Sequence, residues 1–308
     1  MTIFLTLLAK LFPLYLIVFL GWIAGRYLEV KKESIASLLI YIIAPVVVFN
    51  GVITTELNFS TLSLPVLFFT LACLLCLLFY FIGTFIWEGS EKNILAFTSG
   101  VGNVGYFGLP VVLSLFGEKF LGVAVLSVLG FILYENSLGF FVVAKGRYTR
   151  NEALKKVLTL PALYAFFVGL IVNLSHVQLG TVVFDIIGSF RGAYTVLGMM
   201  LVGLGLSQVT RMSFDPVFSG IAFLAKFVAW PLVVGTIVFF DIHFFHVYST
   251  ELYKIMLVMS IVPLASNTIA FATKLGTHPE KAAVTVLLST LFALVYIPLF
   301  VSLIFCLF

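Results

Sequence analysis

Long apolar stretches separated by short polar segments run along the whole chain. Ten of them approach or exceed the roughly 20 residues that a helix needs to cross the core of a bilayer. They lie at about 3–27, 34–55, 62–87, 93–116, 120–144, 158–177, 182–208, 216–240, 252–274 and 279–306. This pattern predicts an all-α integral membrane protein with ten transmembrane helices, named spans 1 to 10 in chain order.

The most hydrophilic segment divides the spans into two groups of five. Residues 146–157 are too few for a domain, so they are predicted to link a first half, 1–145, to a second half, 158–308. Because five is odd, a repeated five-helix half must lie inverted in the membrane. A 5+5 inverted repeat is typical of secondary carriers, whose sites lie at the midplane where interrupted helices meet.

Composition supports a membrane protein. Of the 308 residues, 62% are hydrophobic and 10% are charged, whereas a soluble domain has about 45–50% apolar and about 25% charged residues. Soluble enzymes and nucleic-acid-binding domains are therefore excluded. The first apolar stretch is longer than the roughly 7–15 residues of a signal-peptide core, so it is counted as a retained span.

The basic residues are concentrated in alternate predicted loops. The loops after spans 1, 3, 5, 7 and 9 hold twelve of the 17 Lys and Arg residues, while the opposite loops hold only Lys119 and Lys254. Cytoplasmic loops carry an excess of Lys and Arg. The sequence thus predicts a multi-pass protein of the cell (inner or plasma) membrane, with both termini outside and the linker in the cytoplasm.

Span 4 contains many helix-breaking residues. Residues 100–110 include four glycines and Pro110, with Asn103 at midplane depth. Inside a helix, each Gly costs about 1 kcal/mol relative to Ala, and Pro costs about 3 kcal/mol. Close packing through small residues also uses glycines, but it does not explain Asn103 or Pro110. An unwound segment is therefore predicted around Gly102 and Asn103.

Span 9 is interrupted at the matching position of the second half. Pro263 removes a backbone donor, and a polar run, 266–268, follows it. Buried amide side chains need partners in hydrocarbon, so Asn103 and Asn267 either satisfy the unwound backbone only or also face a solute. Two half-helix N-termini that meet at the midplane would bind a carboxylate. The candidate substrate-binding residues are Gly102, Asn103, Pro263, Ser266 and Asn267.

Two motifs resemble signatures of the auxin efflux carrier family. The segment 103–110, Asn-Val-Gly-Tyr-Phe-Gly-Leu-Pro, is similar to the signature of span 4 in that family. Pro263 with Ser266-Asn267, followed by His278-Pro279-Glu280, is similar to the signature of span 9. Together with the ten spans and the predicted topology, the resemblance covers the whole chain.

This resemblance implies a fold and a function. The family holds plant auxin exporters and bacterial carriers of organic acids such as malate or malonate, and it shares a crossover fold with bile-acid symporters and some sodium/proton antiporters. The resemblance implies that helices 4 and 9 are broken and cross. It also implies a scaffold of spans 1, 2, 6 and 7, a transport domain of spans 3–5 and 8–10, and a homodimer through the scaffold helices. Gly102 stands where plant carriers have proline, and their long hydrophilic loop is missing, so auxin is not the expected substrate.

Two ionisable residues, Glu135 in span 5 and Lys226 in span 8, lie at midplane depth. Such groups are costly in hydrocarbon and by default mark function or a buried pair. Glu135 has three open interpretations: an ion pair with Lys226 or Arg191, a proton carrier, or a cavity-lining residue without a coupling role. Glu135 and Lys226 are therefore candidates for ion coupling. Asn50, on span 2, is a further candidate to face the substrate path.

Two residue groups suggest metal or redox chemistry but fit it poorly. Cys73 and Cys76 have no His or acidic residue nearby in the sequence, so a packing role is expected. His243 and His246 beside Asp241 are expected to form a solvated loop rather than a metal site. No nucleotide-binding or hydrolase motif is present. The sequence thus predicts no metal, no cofactor and no enzymatic activity.

Together these observations predict a secondary transporter of small organic anions, such as carboxylates or dicarboxylates, that alternates access about spans 4 and 9. Its partners would be the substrate and the lipid bilayer, with no nucleic acid. A sodium-coupled symporter of the same fold is the main alternative, because Asn, Ser and backbone oxygens could hold sodium weakly. A non-transporting membrane receptor is a third interpretation.

Overall fold

The computed structural model describes residues 2–144, 161–177, 179–207 and 214–307. Within these ranges the regular structure is entirely helical. The helices are α1 (Thr2–Tyr27), α2 (Lys32–Thr54), α3 (Phe59–Thr84), α4 (Glu91–Phe116), α5 (Glu118–Val143), α6 (Pro161–Leu174), α7 (Thr181–Ser207), α8 (Pro216–Phe245), α9 (Thr250–Ile261 and Asn267–Leu275) and α10 (Pro279–Leu307).

The all-α class predicted from the apolar pattern is confirmed. Seven helices in the described part of the chain are long and apolar enough to cross a membrane, namely α2, α3, α4, α5, α7, α8 and α10. The predicted linker 146–157 lies outside the described residues. The ten-span inverted repeat remains a prediction.

Helices α4 and α9 are both interrupted where the sequence predicts unwinding. The first half of α4, Glu91–Gly100, is followed by extended backbone at Val101, and the helix resumes as a π-helical turn at Val104–Gly108. In α9, Thr250–Ile261 and Asn267–Leu275 are separated by residues 262–266, which are not helical. Pro110 lies just beyond the π-helical turn of α4, within the continuing segment Leu109–Phe116, and it has no N–H to donate within the helix.

Of the wide π-helical turns in the described structure, two lie beside these breaks, in α5 and α8. In addition to Val104–Gly108, they are Glu135–Gly139 in α5 and Leu224–Ala229 in α8. Such turns are rare and are often found at functional sites. The two coupling candidates, Glu135 and Lys226, each lie in one of them.

A cluster of charged side chains joins one end of α4, α8 and α10. Asp215 caps α8 by accepting hydrogen bonds from the N–H groups of Val217 (3.1 Å) and Phe218 (3.0 Å). Lys281 of α10 contacts both Asp215 (2.9 Å) and Glu91 of α4 (3.4 Å). Partial burial opposes ionisation, but the hydrogen bonds from Phe218 and Lys281 outweigh it and hold the pKa of Asp215 below its usual value.

Replacing Asp215 with Ala is expected to lower the stability of the folded protein by about 1–2 kcal/mol, because the helix cap and a partly exposed ion pair are lost together. A carboxylate with a lowered pKa contributes its stability near neutral pH and loses it only as the pH falls through the lowered value. Thermal unfolding of the purified protein in detergent at pH 7 measures the effect. Asp185→Ala, at an exposed site on α7, is the control and should unfold like the wild type. An unchanged unfolding temperature for Asp215→Ala would contradict the capping role.

Candidate functional site

The breaks of α4 and α9 are bonded directly to each other. The backbone N–H of Asn103 donates a hydrogen bond to the carbonyl of Pro263, with an N···O distance of 2.8 Å. The side-chain amide of Asn103 also donates to Ser266 Oγ at 3.5 Å. All three residues are buried. The two polar segments that the sequence singled out in separate halves of the chain therefore meet at one point.

Local hydrogen bonds account for much of the backbone in both breaks. The carbonyl of Asn103 accepts from the N–H groups of Phe107 (3.1 Å) and Gly108 (2.9 Å) as the helix restarts. In the other break, the N–H of Leu264 donates to Ser289 Oγ of α10 at 3.1 Å. Buried backbone groups must be satisfied away from water. One predicted role of the Asn103 and Asn267 side chains is to satisfy the unwound backbone. Other residues fill much of that role.

A cavity of about 330 Å³ lies at the meeting point of the breaks. Its walls come from α2, α4, α5, α6, α7 and α9. Ligand pockets are usually about 300–1,000 Å³, so this one would hold only a small solute. The polar side chains on its wall are Asn103, Tyr106, Glu135, Asn136, Tyr194, Ser266 and Asn267.

Glu135 faces this cavity and is bonded to the α9 break. Its Oε2 accepts a hydrogen bond from the side-chain amide of Asn267 at 2.8 Å. The residue is buried, with 8% of its surface exposed. A carboxylate from α5 and an amide from α9 thus lie together on the wall that any solute at the breaks would meet.

The ion-pair interpretation of Glu135 is wrong for this structure. Among the described residues, no Lys or Arg side chain lies within ion-pair distance of its carboxylate. Arg191 instead pairs with Glu118, at the start of α5. The partner of Glu135 is a neutral amide, which leaves the proton-carrier and cavity-lining interpretations.

Lys226 is fully buried behind the α4 break rather than on the cavity wall. Its ammonium lies over the ring of Trp230, 5.0 Å from the ring centre. In the described part of the structure, Lys226 Nζ has no hydrogen-bond partner. A Cβ built on Gly102 would collide with this nitrogen, so the ammonium lies directly against the backbone of Gly102.

The other candidates have different positions. Gly102, Asn103, Ser266 and Asn267 line the cavity, whereas Pro263 contributes its carbonyl to the link between the breaks. Asn50 is buried in α2 and is not among the lining residues, although Ala44 of the same helix is.

The solvated loop predicted around Asp241 is wrong in part, because Asp241–Phe245 form the last, π-helical turn of α8 and Asp241 is buried. Its carboxylate accepts hydrogen bonds from the N–H groups of Val247 (3.1 Å) and Tyr248 (2.8 Å) and from the Tyr253 hydroxyl (2.7 Å). Through these bonds Asp241 connects the end of α8 to the start of α9. Over the described ranges, no group of three or more His, Cys, Asp or Glu residues could hold a metal.

Sequence reasoning missed several aromatic and polar lining residues. Tyr194 of α7 faces Tyr106 at the α4 break, with 6.4 Å between ring centres. Asn136 and Phe271 complete the wall from α5 and α9. Asn136 directly follows Glu135, and this adjacency could have identified it. Tyr194 and Phe271 belong to no motif recognised in the sequence, so they carried no signal.

Comparison with known proteins identifies the family of this chain. A curated protein of the archaeon Methanocaldococcus jannaschii, described as an uncharacterized transporter, is 26% identical over 298 residues, which cover 93% of this chain and 94% of the relative. The family model described as "membrane transport protein" matches twice, over residues 6–151 and 147–301. The two matches contain both breaks and both motifs. This chain therefore belongs to the membrane transport protein family, the auxin efflux carrier-like family that its two motifs resemble.

Proposed function

We propose that this membrane transporter is a secondary carrier of small organic anions, with a carboxylate or dicarboxylate bound between the breaks of α4 and α9. The observation that carries the proposal is the cavity at the hydrogen-bonded breaks, lined by Asn103, Ser266 and Asn267. Its volume of about 330 Å³ suits a solute of a few carbon atoms.

The polarity of the two restarting helices favours an anion. The second halves of α4 and α9 begin at Val104 and Asn267, which both line the cavity. The first N–H groups of a helix have no partner within the helix, and the N-terminal end carries a partial positive charge. Two such ends beside one cavity resemble the anion sites of carriers with interrupted helices.

The origin of the cavity wall supports alternating access. Ala44, Ala162 and Tyr194 come from α2, α6 and α7, which are predicted scaffold helices, whereas the breaks belong to the predicted transport domain. Movement of one group against the other would expose the cavity to each side in turn. The two family matches, 6–151 and 147–301, meet close to the boundary between the two predicted halves of the 5+5 inverted repeat. The proposal also includes that helices α4 and α9 cross at their breaks. Both termini would lie outside, in a protein of the cell membrane, and the scaffold helices would form a homodimer.

Glu135 suggests that transport is coupled to protons. An anion bound in a cavity that also holds an ionised carboxylate would experience repulsion, because like charges interact strongly where water is scarce. A proton on Glu135 removes this repulsion, so anion and proton would bind together. Sodium coupling is the second candidate, because the carboxylate of Glu135 and neighbouring oxygens also suit a hard cation.

A flux assay tests the transported class. The purified protein is reconstituted in liposomes, and uptake of labelled malate, malonate and acetate is measured under a pH gradient and, separately, under a sodium gradient. We expect at least one carboxylate to accumulate under the pH gradient. Accumulation that needs sodium at constant pH would favour the symporter alternative. If a cation moves while no carboxylate does, the anion proposal is wrong.

Replacing Asn103 with Ala is expected to lower carboxylate transport about tenfold while lowering stability by only about 1 kcal/mol, the typical worth of a side-chain hydrogen bond in a membrane. The bond from the Asn103 backbone to Pro263 is retained, so the break should persist. Flux and unfolding temperature are measured on the same preparation.

Asn173→Ala is the matched control for this variant. The amide of Asn173 bonds to the carbonyls of Val52, Ile53 and Thr55, away from the cavity. We therefore expect its loss to reduce stability but not apparent affinity. The site is misplaced if Asn103→Ala and Asn267→Ala both transport at the wild-type rate with unchanged affinity.

A further inference from the structure

The ammonium of Lys226 is an unusual group for the interior of a membrane protein. Its side chain is completely buried, and among the described residues its nitrogen has neither a hydrogen-bond partner nor an acidic partner within ion-pair distance. Charged groups at this depth are retained only where they have a role or a compensating environment.

The surroundings of Lys226 compensate a positive charge in part. The face of the Trp230 ring attracts the ammonium, and the indole N–H of Trp230 donates to the carbonyl of Ser99 at 2.7 Å. Ser99 lies in the last turn of the first half of α4, which ends at Gly100. The carbonyl end of a helix carries a partial negative charge. Lys226 is therefore held between an aromatic face and the negative end of a half-helix.

The same position puts the ammonium close to the cavity. Gly102 lines the cavity on one side and contacts Lys226 on the other. Gly102 has no side chain to stand between Lys226 and a solute that contacts this glycine. A charge in this position acts on a solute through a medium that screens it far less than water does.

We propose that Lys226 is a specificity-determining residue that selects dianionic over monoanionic carboxylates at the breaks. This inference rests on the proposed function. The field of Lys226 favours each additional negative charge on the solute by more than tenfold in affinity, because two unit charges within about 10 Å interact by more than about 1.4 kcal/mol at an effective dielectric constant of about 20. Protonation of Glu135, the carboxylate on the cavity wall, leaves Lys226 as the dominant charge near the solute.

A purely structural Lys226 makes a different prediction. If the side chain only fills space beside Trp230, its replacement changes folded yield or stability and affects all solutes equally. Discrimination between solutes of equal size and unequal charge is therefore the informative measurement. Malonate and its half-amide, malonamate, are such a pair, with two charges and one charge at neutral pH.

The test measures inhibition of labelled malonate counterflow by unlabelled malonate and by malonamate, in proteoliposomes containing the full-length protein. In the wild type, we expect malonate to inhibit at a concentration about tenfold or more below that of malonamate. Lys226→Met, which keeps the length of the side chain, should bring this ratio close to one. Lys226→Arg should retain most of the preference because it keeps the charge.

Each outcome decides the question. A folded Lys226→Met variant with the wild-type ratio overturns the inference, as does a wild-type ratio near one. If the Met variant does not fold, Lys226→Gln gives the same comparison. The inhibition ratio of the wild type is measured without any variant and can overturn the inference alone. If the wild type transports no carboxylate at all in the flux assay, the proposed function fails, and this outcome is distinct from transport without charge preference.

Discussion

Replacing Glu135 with Gln is expected to leave the exchange of carboxylate across the membrane within about threefold of the wild-type rate while abolishing uptake driven by a pH gradient. One pH unit is worth about 1.4 kcal/mol per proton, which corresponds to about tenfold accumulation of a substrate carried with one proton. Wild-type protein in liposomes should reach this level when the membrane potential is held at zero. The variant should only equilibrate its substrate.

The physical reason is the position of the carboxylate. Glu135 lines the cavity and accepts a hydrogen bond from Asn267, so a proton bound there would be transferred with the solute. Glutamine has the shape of the protonated acid but cannot release a proton. It can keep contact with Asn267 through its own amide oxygen, so the variant should fold.

Glu118→Gln is the matched control. Glu118 is mostly exposed and pairs with Arg191 away from the breaks, so its neutral variant should accumulate substrate like the wild type. A folded Glu135→Gln variant with normal pH-driven accumulation would show that Glu135 lines the cavity without carrying the proton.

The second large effect is expected at Gly102, where even one added methyl group should reduce transport more than tenfold. A Cβ at this position would overlap Lys226 Nζ and would lie only 3.0 Å from Val262 Cγ2. Overpacking of a buried site costs about 1–3 kcal/mol. In Gly102→Ala the tip of the flexible Lys226 side chain would move first, and the remaining close contact with Val262 would press on the α4 break that lines the cavity.

A control and a double variant distinguish the effect of the collision at Gly102 from the effect of any Gly-to-Ala change in a helix. Gly220 of α8 has open space around the position of its Cβ, so Gly220→Ala should transport normally. In the double variant Gly102→Ala with Lys226→Ala, the collision is removed, and we expect stability to recover relative to Gly102→Ala alone. Transport of the dianion should remain low, because the charge is missing. Normal transport by Gly102→Ala would contradict the close contact between Gly102 and Lys226.

The fold class and the two breaks could be predicted because their causes are local. Long apolar stretches specify membrane-spanning helices wherever the partners lie, and glycines, prolines and asparagines interrupt a helix through their own backbone properties. The interruptions at Gly102 and Pro263 accordingly occur where the sequence indicated. Their correspondence in the two halves also suggested that Asn103 and Asn267 act near one site.

The partners of the buried charges could not be predicted, because they depend on how distant segments pack. The sequence shows Glu135, Lys226 and Arg191 as three isolated charges, and the simplest pairing among them is not the one observed. Glu135 bonds to Asn267, and Lys226 lies on Trp230, four residues further along α8. Tyr194 could not be predicted for the same reason. No motif in the sequence of α7 marks it as part of the cavity wall.

The central claim is that the carboxylate binds between the breaks of α4 and α9, and a structure determined with saturating malonate tests it most directly. We expect density for the anion in the cavity of about 330 Å³, within hydrogen-bond distance of Asn103, Ser266 or Asn267. The structure also has a polar cavity of about 370 Å³ that includes Glu56, Lys119 and Glu251 and lies apart from the breaks. Malonate bound there, with the cavity at the breaks empty, would contradict the account.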